Sequence, residues 1–222
     1  MRQIHPDVFK DFGINVKKCY KVRGAYICET NKGTKVIHKS DYTPAQINLQ
    51  HNIKEHLIER GFNGVDRLYL SKNDTPYTVC YNRVFVMTDW QNATEIDFYN
   101  ESDIHYTMRV LAQLHIAGEG FDAPGGNVRE AKIKNLGVTY EKRYKETIKL
   151  KKRISNVGNK TDFEVLYFQN ASKYIELQEM AMGLFYQEDY KKLIELARNK
   201  QTIAHHQYTY HNIKKIDEDH VV

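Results

Sequence analysis

The chain has 222 residues with a formal net charge of +5, and 41% of them are apolar and 12% aromatic. Its mean hydropathy of −0.66 is polar, yet 16 Tyr, 9 Phe and 1 Trp suffice for a packed core, which excludes a disordered chain. No run approaches the roughly 20 apolar residues of a membrane span. Residues 1–10 lack the apolar stretch of a secretory signal, so cytoplasmic synthesis is expected.

Cys19, Cys28 and Cys80 form no C-x-x-C pair. Their odd count and a reducing compartment make them read as free thiols in strands. The charge is uneven: segment 129–153 holds 10 Lys/Arg against 3 acids, a local +7 that leaves −2 elsewhere. Such a run could attract polyanions, but a solvated helix face is the preferred expectation.

In chain order, residues 16–22, 25–29 and 34–38 are β-rich, the last two joined by Asn31-Lys32-Gly33. Thr43-Pro44-Ala45-Gln46 then combines an N-cap Thr, an N1 Pro and an N3 Gln. Leu49, Ile53, Leu57 and Ile58 supply the apolar stripe of that helix, and Gly61 ends it. Further β-rich runs at 67–71, 77–81 and 84–88, with turns at Asn73-Asp74 and Asn82-Arg83, give about six strands with one inserted helix.

The second half reads as helical. Ile104, Met108, Leu111 and His115 repeat at helical spacing before Gly118, and 122–127 is a loop. Tyr140, Tyr144, Ile148 and Lys151 mark the basic helix. Thr161 and Glu164 form a second capping box before a long helix with Phe163, Leu166, Tyr167, Tyr174, Leu177, Ala181 and Leu184 on one face. A short helix follows at 190–198. The last stretch ends on a turn-like 217–219 and a strand-like 220–222, as if cut. The expected plan is α+β: an antiparallel sheet lobe with one helix over 1–90, a helical lobe over 91–222, and a ligand site where they meet.

The stretch His205-His206-Gln207-Tyr208-Thr209-Tyr210-His211-Asn212 carries the chemistry. Zinc is disfavoured, because neither an i, i+4 pair on a helix nor a supporting carboxylate accompanies the histidines. A phosphotransfer loop of the form H-x-D-x-x-x-x-N fits better, with His205 as brace, Gln207 in the base position and Asn212 as magnesium ligand. Gln207 is neutral and cannot serve as a general base.

The chain resembles the CotS family of spore coat proteins, within the aminoglycoside-phosphotransferase branch of the kinase-like fold. The resemblance rests on 23–30 with Lys32-Gly33, on 55–62 and 63–70, on Thr88-Asp89-Trp90, on 111–115, on Gly120-Phe121 and on 205–213. It implies a protein-kinase-like two-lobed fold with an incomplete, mainly helical C-lobe, truncated after the catalytic-loop region. It also implies ATP and Mg2+ as ligands, bound weakly or not at all.

By the same resemblance, Val36-Ile37-His38 places His38 where a kinase-type strand carries its phosphate-pairing Lys, with Lys39 adjacent. The helix carboxylate falls on Glu55 or Glu59, or its place on Gln50. Thr88, Asp89 and Trp90 become the adenine-binding hinge, and a D-F-D metal motif is absent before Val222. The expected function is that of a spore coat component, made in the mother cell, with a degenerate kinase-like fold and a structural or assembly role. Other coat proteins, or further copies of itself, are its expected partners. An active phosphotransferase of the aminoglycoside/choline-kinase-like type, on a chain continuing past Val222, is the alternative. A polyanion binder using 129–153 ranks third.

Overall fold

The computed structural model describes residues 4–122, 136–205, 207–209 and 212–216. The loop at 123–127, the basic positions 129–134, His206, Tyr210, His211 and the terminal 217–222 lie outside the described residues. The described residues fall into two compact units, one within 1–130 and 201–222, the other within 131–200.

The first unit opens with α1 (Pro6–Asp11), a short helix that composition gives no hint of. Then come β1 (Val16–Val22), β2 (Ala25–Thr30), β3 (Gly33–Ser40), α2 (Pro44–Glu59), β4 (Thr78–Cys80) and β5 (Arg83–Asp89). The five strands form one sheet in the order β1-β2-β3-β5-β4, antiparallel throughout. Two tight turns shape it, with positive φ at Arg23 and Gly24 and again at Tyr81 and Asn82. Positive φ at both central residues matches the twist of a two-residue hairpin.

The expected strand at 67–71 does not form. Tyr69 donates one backbone bond to the Met87 carbonyl, 2.8 Å, but the Ser71 N–H closes a turn onto Thr75 instead of extending a ladder. The cysteine expectation is also corrected. Cys19 and Cys28 are register partners across β1 and β2 and are joined as a disulfide, leaving Cys80 as the free thiol. Strand register, invisible in their sequence spacing, brings the two side chains to one face.

Period-2 alternation splits the sheet's side chains between two faces. On one face Cys28, Ile37 and Met87 bury against Val8, Phe12 and Ile14 of the N-terminal segment. On the other, Val86 packs with Leu68 and with Ile47 of α2. The Thr43–Gln46 capping box is present, with Gln46 N–H donating to Thr43 Oγ1 and Thr43 N–H to Gln46 Oε1. A cap of this kind contributes about 1 kcal/mol.

The same unit contains β6 (Thr94–Glu95), α3 (Glu101–Ala117) and β7 (Lys214–Lys215), β6 pairing with β7. The buried face of α3 is Asp103, Thr107, Val110, Leu114 and Ala117, not the expected row through Met108 and His115, both of which are exposed. Two polar residues sit inward because each has partners there. Asp103 accepts from Lys215 and from the Asp97 N–H, and Thr107 donates to the Ile104 carbonyl.

The second unit is α4 (Leu136–Ser155), α5 (Asp162–Phe185) and α6 (Glu188–Asn199). The Thr161–Glu164 capping box forms. Polar residues line much of the α4–α5 seam: Gln178 donates to Thr147 and Tyr144 to Glu179. Lys142, Arg143, Lys145, Lys149, Lys152 and Arg153 of α4 are exposed. Much of the expected apolar stripe of α5 is exposed too, Phe163 at 72% and Leu166 at 60%. Of that stripe Tyr167 does meet α4, donating to the Thr147 carbonyl; beside it on the α4 side stand Gln178, bonded to Thr147, and Phe185, whose ring meets Tyr140. α5 therefore has a second apolar face.

Candidate functional site

The segment after α6 returns to the first unit and is held at three points, one in α3 and two in the stretch that follows it. Ile203 N–H donates to the Gly118 carbonyl at 2.9 Å, and Phe121 N–H to the Gln201 carbonyl. Gly118 is required by this approach: a Cβ there would lie 2.9 Å from Ile203 Cβ. Tyr208 donates its hydroxyl to the Thr107 carbonyl at 2.6 Å. Burial, with Tyr106 nearby, pushes that phenol up to about 12, so it stays a donor at ordinary pH.

Ile213 completes the anchor. It is 1% exposed among Leu57 of α2, Ile96, and Val110 and Leu114 of α3. Beside these anchors, Gln207 and Asn212 are both exposed. Asn212 Nδ2 donates to the Gln207 carbonyl at 2.9 Å, and Asn212 N–H to the Thr209 carbonyl at 2.8 Å. With its amide nitrogen so engaged, the exposed Asn212 side chain has its Oδ1 as an acceptor. The His205 ring stands edge-on to Tyr208, centroids 5.3 Å apart. Partial burial holds its imidazole below the ordinary value, with a backbone hydrogen bond opposing and His115 nearby reinforcing.

His38 lies on the α2 face of β3, lining a hollow with Gln50 and Lys54 of α2 and with Asp66. Burial lowers its pKa, Asp66 opposing and Lys54 reinforcing. Lys39 also borders the hollow, but its side chain is half-exposed and paired with Asp41 at 3.1 Å. Of the helix carboxylates, Glu55 is bound to Arg67 and Glu59 is exposed. Gln50 faces the strand.

The three hinge positions sit at the end of β5. Thr88 is buried, the Asp89 carboxylate accepts from the buried Lys35, and Trp90 N–H donates to the Thr34 carbonyl at 3.0 Å. The Trp90 donor is thus taken by the sheet itself. Sequence reasoning missed Lys35, which lies under the Tyr69 ring at 4.4 Å, and the Lys54–Asp66 pair. Lys35 depends on Tyr69 and Asp89, far along the chain, and the Lys54–Asp66 pair on how the loop after α2 folds back along the helix.

A metal at Asn212 would need further anionic ligands. Among the described residues, no group of three His, Cys, Asp or Glu side chains could hold an ion. No chemical step is assigned to a magnesium ion.

Among solved structures, an aminoglycoside phosphotransferase from Alicyclobacillus acidocaldarius superposes with a TM-score of 0.84 at 17% identity, over 100% of this chain and 65% of that one. The AMP-bound spectinomycin phosphotransferase APH(9)-Ia gives 0.68 at 14%, over 96% of this chain and 65% of that one. The same enzyme with ADP and spectinomycin gives 0.62 at 14%, over 96% and 64%. At these identities the likeness establishes the fold, which is protein-kinase-like, and the chain spans about 65% of the length of its neighbours. No helix among the described residues is long and apolar enough to cross a membrane. The family model described as "Spore coat putative kinase YutH" matches residues 5–221, and the chain belongs to that spore coat family of kinase-like proteins.

Proposed function

We propose that this protein is a component of the spore coat in which a kinase-like fold serves structure or assembly, its phosphate-transfer site having lost efficient catalysis. The observation that carries this reading is Gln207. The loop around it is held by Tyr208 and Ile213 in an outward-facing arrangement, yet the position of the proton acceptor carries a neutral amide. His38 at the strand position adds a second loss, since its buried ring is neutral near pH 7. Coat proteins, or further copies of this chain, are its partners, made with it in the mother cell. The exposed apolar face of α5 is the kind of surface that association would cover. Retained acceptors such as Asn212 leave room for weak nucleotide binding, and the neighbours carrying AMP and ADP make a nucleotide the natural ligand to try.

Calorimetric titration with ATP, with and without magnesium, tests this. The expected result is weak binding that magnesium changes by less than about tenfold, or 1.4 kcal/mol. Tight binding that collapses when magnesium is removed would contradict it.

A further inference from the structure

The hollow between β3 and α2 has a volume of about 350 Å3 and opens to solvent. Its titratable lining is His38, Lys39, Asp41, Tyr42, Lys54 and Asp66, of which the imidazole and the two lysines can carry positive charge. His38 contributes no charge near neutrality, because burial disfavours its protonated form. Lys39 lies on the alternate strand phase and is tied to Asp41. Lys54 differs from both. Its side chain is only 20% exposed, and its head is fixed by two acceptors of one residue, the Asp66 carboxylate and the Asp66 carbonyl at 2.7 Å. An ammonium has three N–H bonds, so one remains for an occupant of the hollow.

The arrangement inverts the strand-lysine and helix-carboxylate pair of kinase-type sites: here the helix carries the cation and the loop after it carries the carboxylate. Gln50, one turn earlier on α2 and on the same hollow, is neutral, and the two carboxylates that line the hollow, Asp41 and Asp66, are paired with Lys39 and Lys54.

We propose that Lys54 receives the phosphate tail of a nucleotide, in the place left by the strand lysine. This rests on the reading of the site as a residual nucleotide site. Asp66 positions the ammonium and also offsets its field, which keeps the affinity weak. Gln50 and His38 complete the hollow as neutral hydrogen-bonding groups.

The test titrates ATP, adenosine and tripolyphosphate against the wild type, Lys54→Gln and Lys54→Arg. Glutamine keeps a donor for the Asp66 carbonyl, and thermal unfolding verifies that each variant is folded. In Lys54→Gln the ratio of ATP to adenosine affinity should fall by at least about tenfold with adenosine affinity unchanged, the loss of one charge-assisted hydrogen bond. Lys54→Arg should keep most of the ratio. An unchanged ratio in Lys54→Gln, or an equal loss for ATP and adenosine, overturns the proposal. Tripolyphosphate binding as tight as ATP assigns the hollow to free polyphosphate and overturns the nucleotide. A wild type that binds no ATP overturns Lys54 as a phosphate contact and leaves the structural coat role standing. Rapid turnover with the Lys54→Gln ratio still lost does the reverse.

Discussion

Ile213→Ala is expected to destabilise the protein by about 2–5 kcal/mol, the range for truncating a well-packed core residue. Ile213 is 1% exposed and is the point where the returning segment meets both α2 and α3, through Leu57, Val110 and Leu114. The cavity would open directly beneath Asn212. The substitution should therefore also loosen the loop, seen as faster hydrogen exchange at the Asn212 amide, which is bonded to the Thr209 carbonyl. Urea unfolding of wild type and variant measures the first effect. A loss below about 1 kcal/mol, within the range of ordinary substitutions, would show that Ile213 does not anchor this segment.

Gln207→Asp, in contrast, should leave the fold intact and still give no measurable ATP-dependent phosphate transfer. Position 207 is exposed, and its carbonyl, not its side chain, receives Asn212. A carboxylate there restores a group worth about 10²–10⁴-fold in rate. The larger contribution in phosphate transfer is the electrostatic stabilisation of the transferring group by metal and fixed cations. Among the described residues no metal-holding cluster exists, and a lysine that holds a nucleotide equally in ground and transition states does not raise kcat. Phosphorylated product from this variant, followed by 31P NMR, would show that the base was the only missing part.

How much of this was legible before folding depends on how local each signal is. Both capping boxes, at Thr43 and Thr161, formed as read, since a cap is decided within four residues. The extents of β1, β2, β3 and β5 followed from alternation and turns for the same reason. The inward face of α3 was misread because Asp103 and Thr107 look like surface residues. Only the distant Lys215 and the Asp97 amide make burying Asp103 tolerable. In α5 the error ran the other way: of the apolar residues assigned to the packed face, Tyr167 does meet α4 at the Thr147 carbonyl, but Phe163, Leu166, Tyr174, Leu177 and Leu184 stay exposed, because the α4 seam is largely polar and takes Gln178.

At the candidate site, Gln207 and Asn212 are exposed and His38 lies on the α2 side of β3. The anchors Tyr208 and Ile213 and the Lys54–Asp66 pair were not visible, because the partners of Tyr208 and Ile213 lie about a hundred or more residues away, at Thr107 and in α2 and α3. The cross-strand Cys19–Cys28 bond was hidden for a related reason, since it depends on the register of a hairpin.

The most direct test of the central claim is the turnover number of the wild-type chain with ATP, magnesium and a panel of hydroxyl- and amine-bearing acceptors. A worn phosphate-transfer loop with glutamine at position 207 should release no ADP above the uncatalysed background. Turnover in the ordinary kinase range of about 1–100 s⁻¹ would contradict it and make this chain an enzyme.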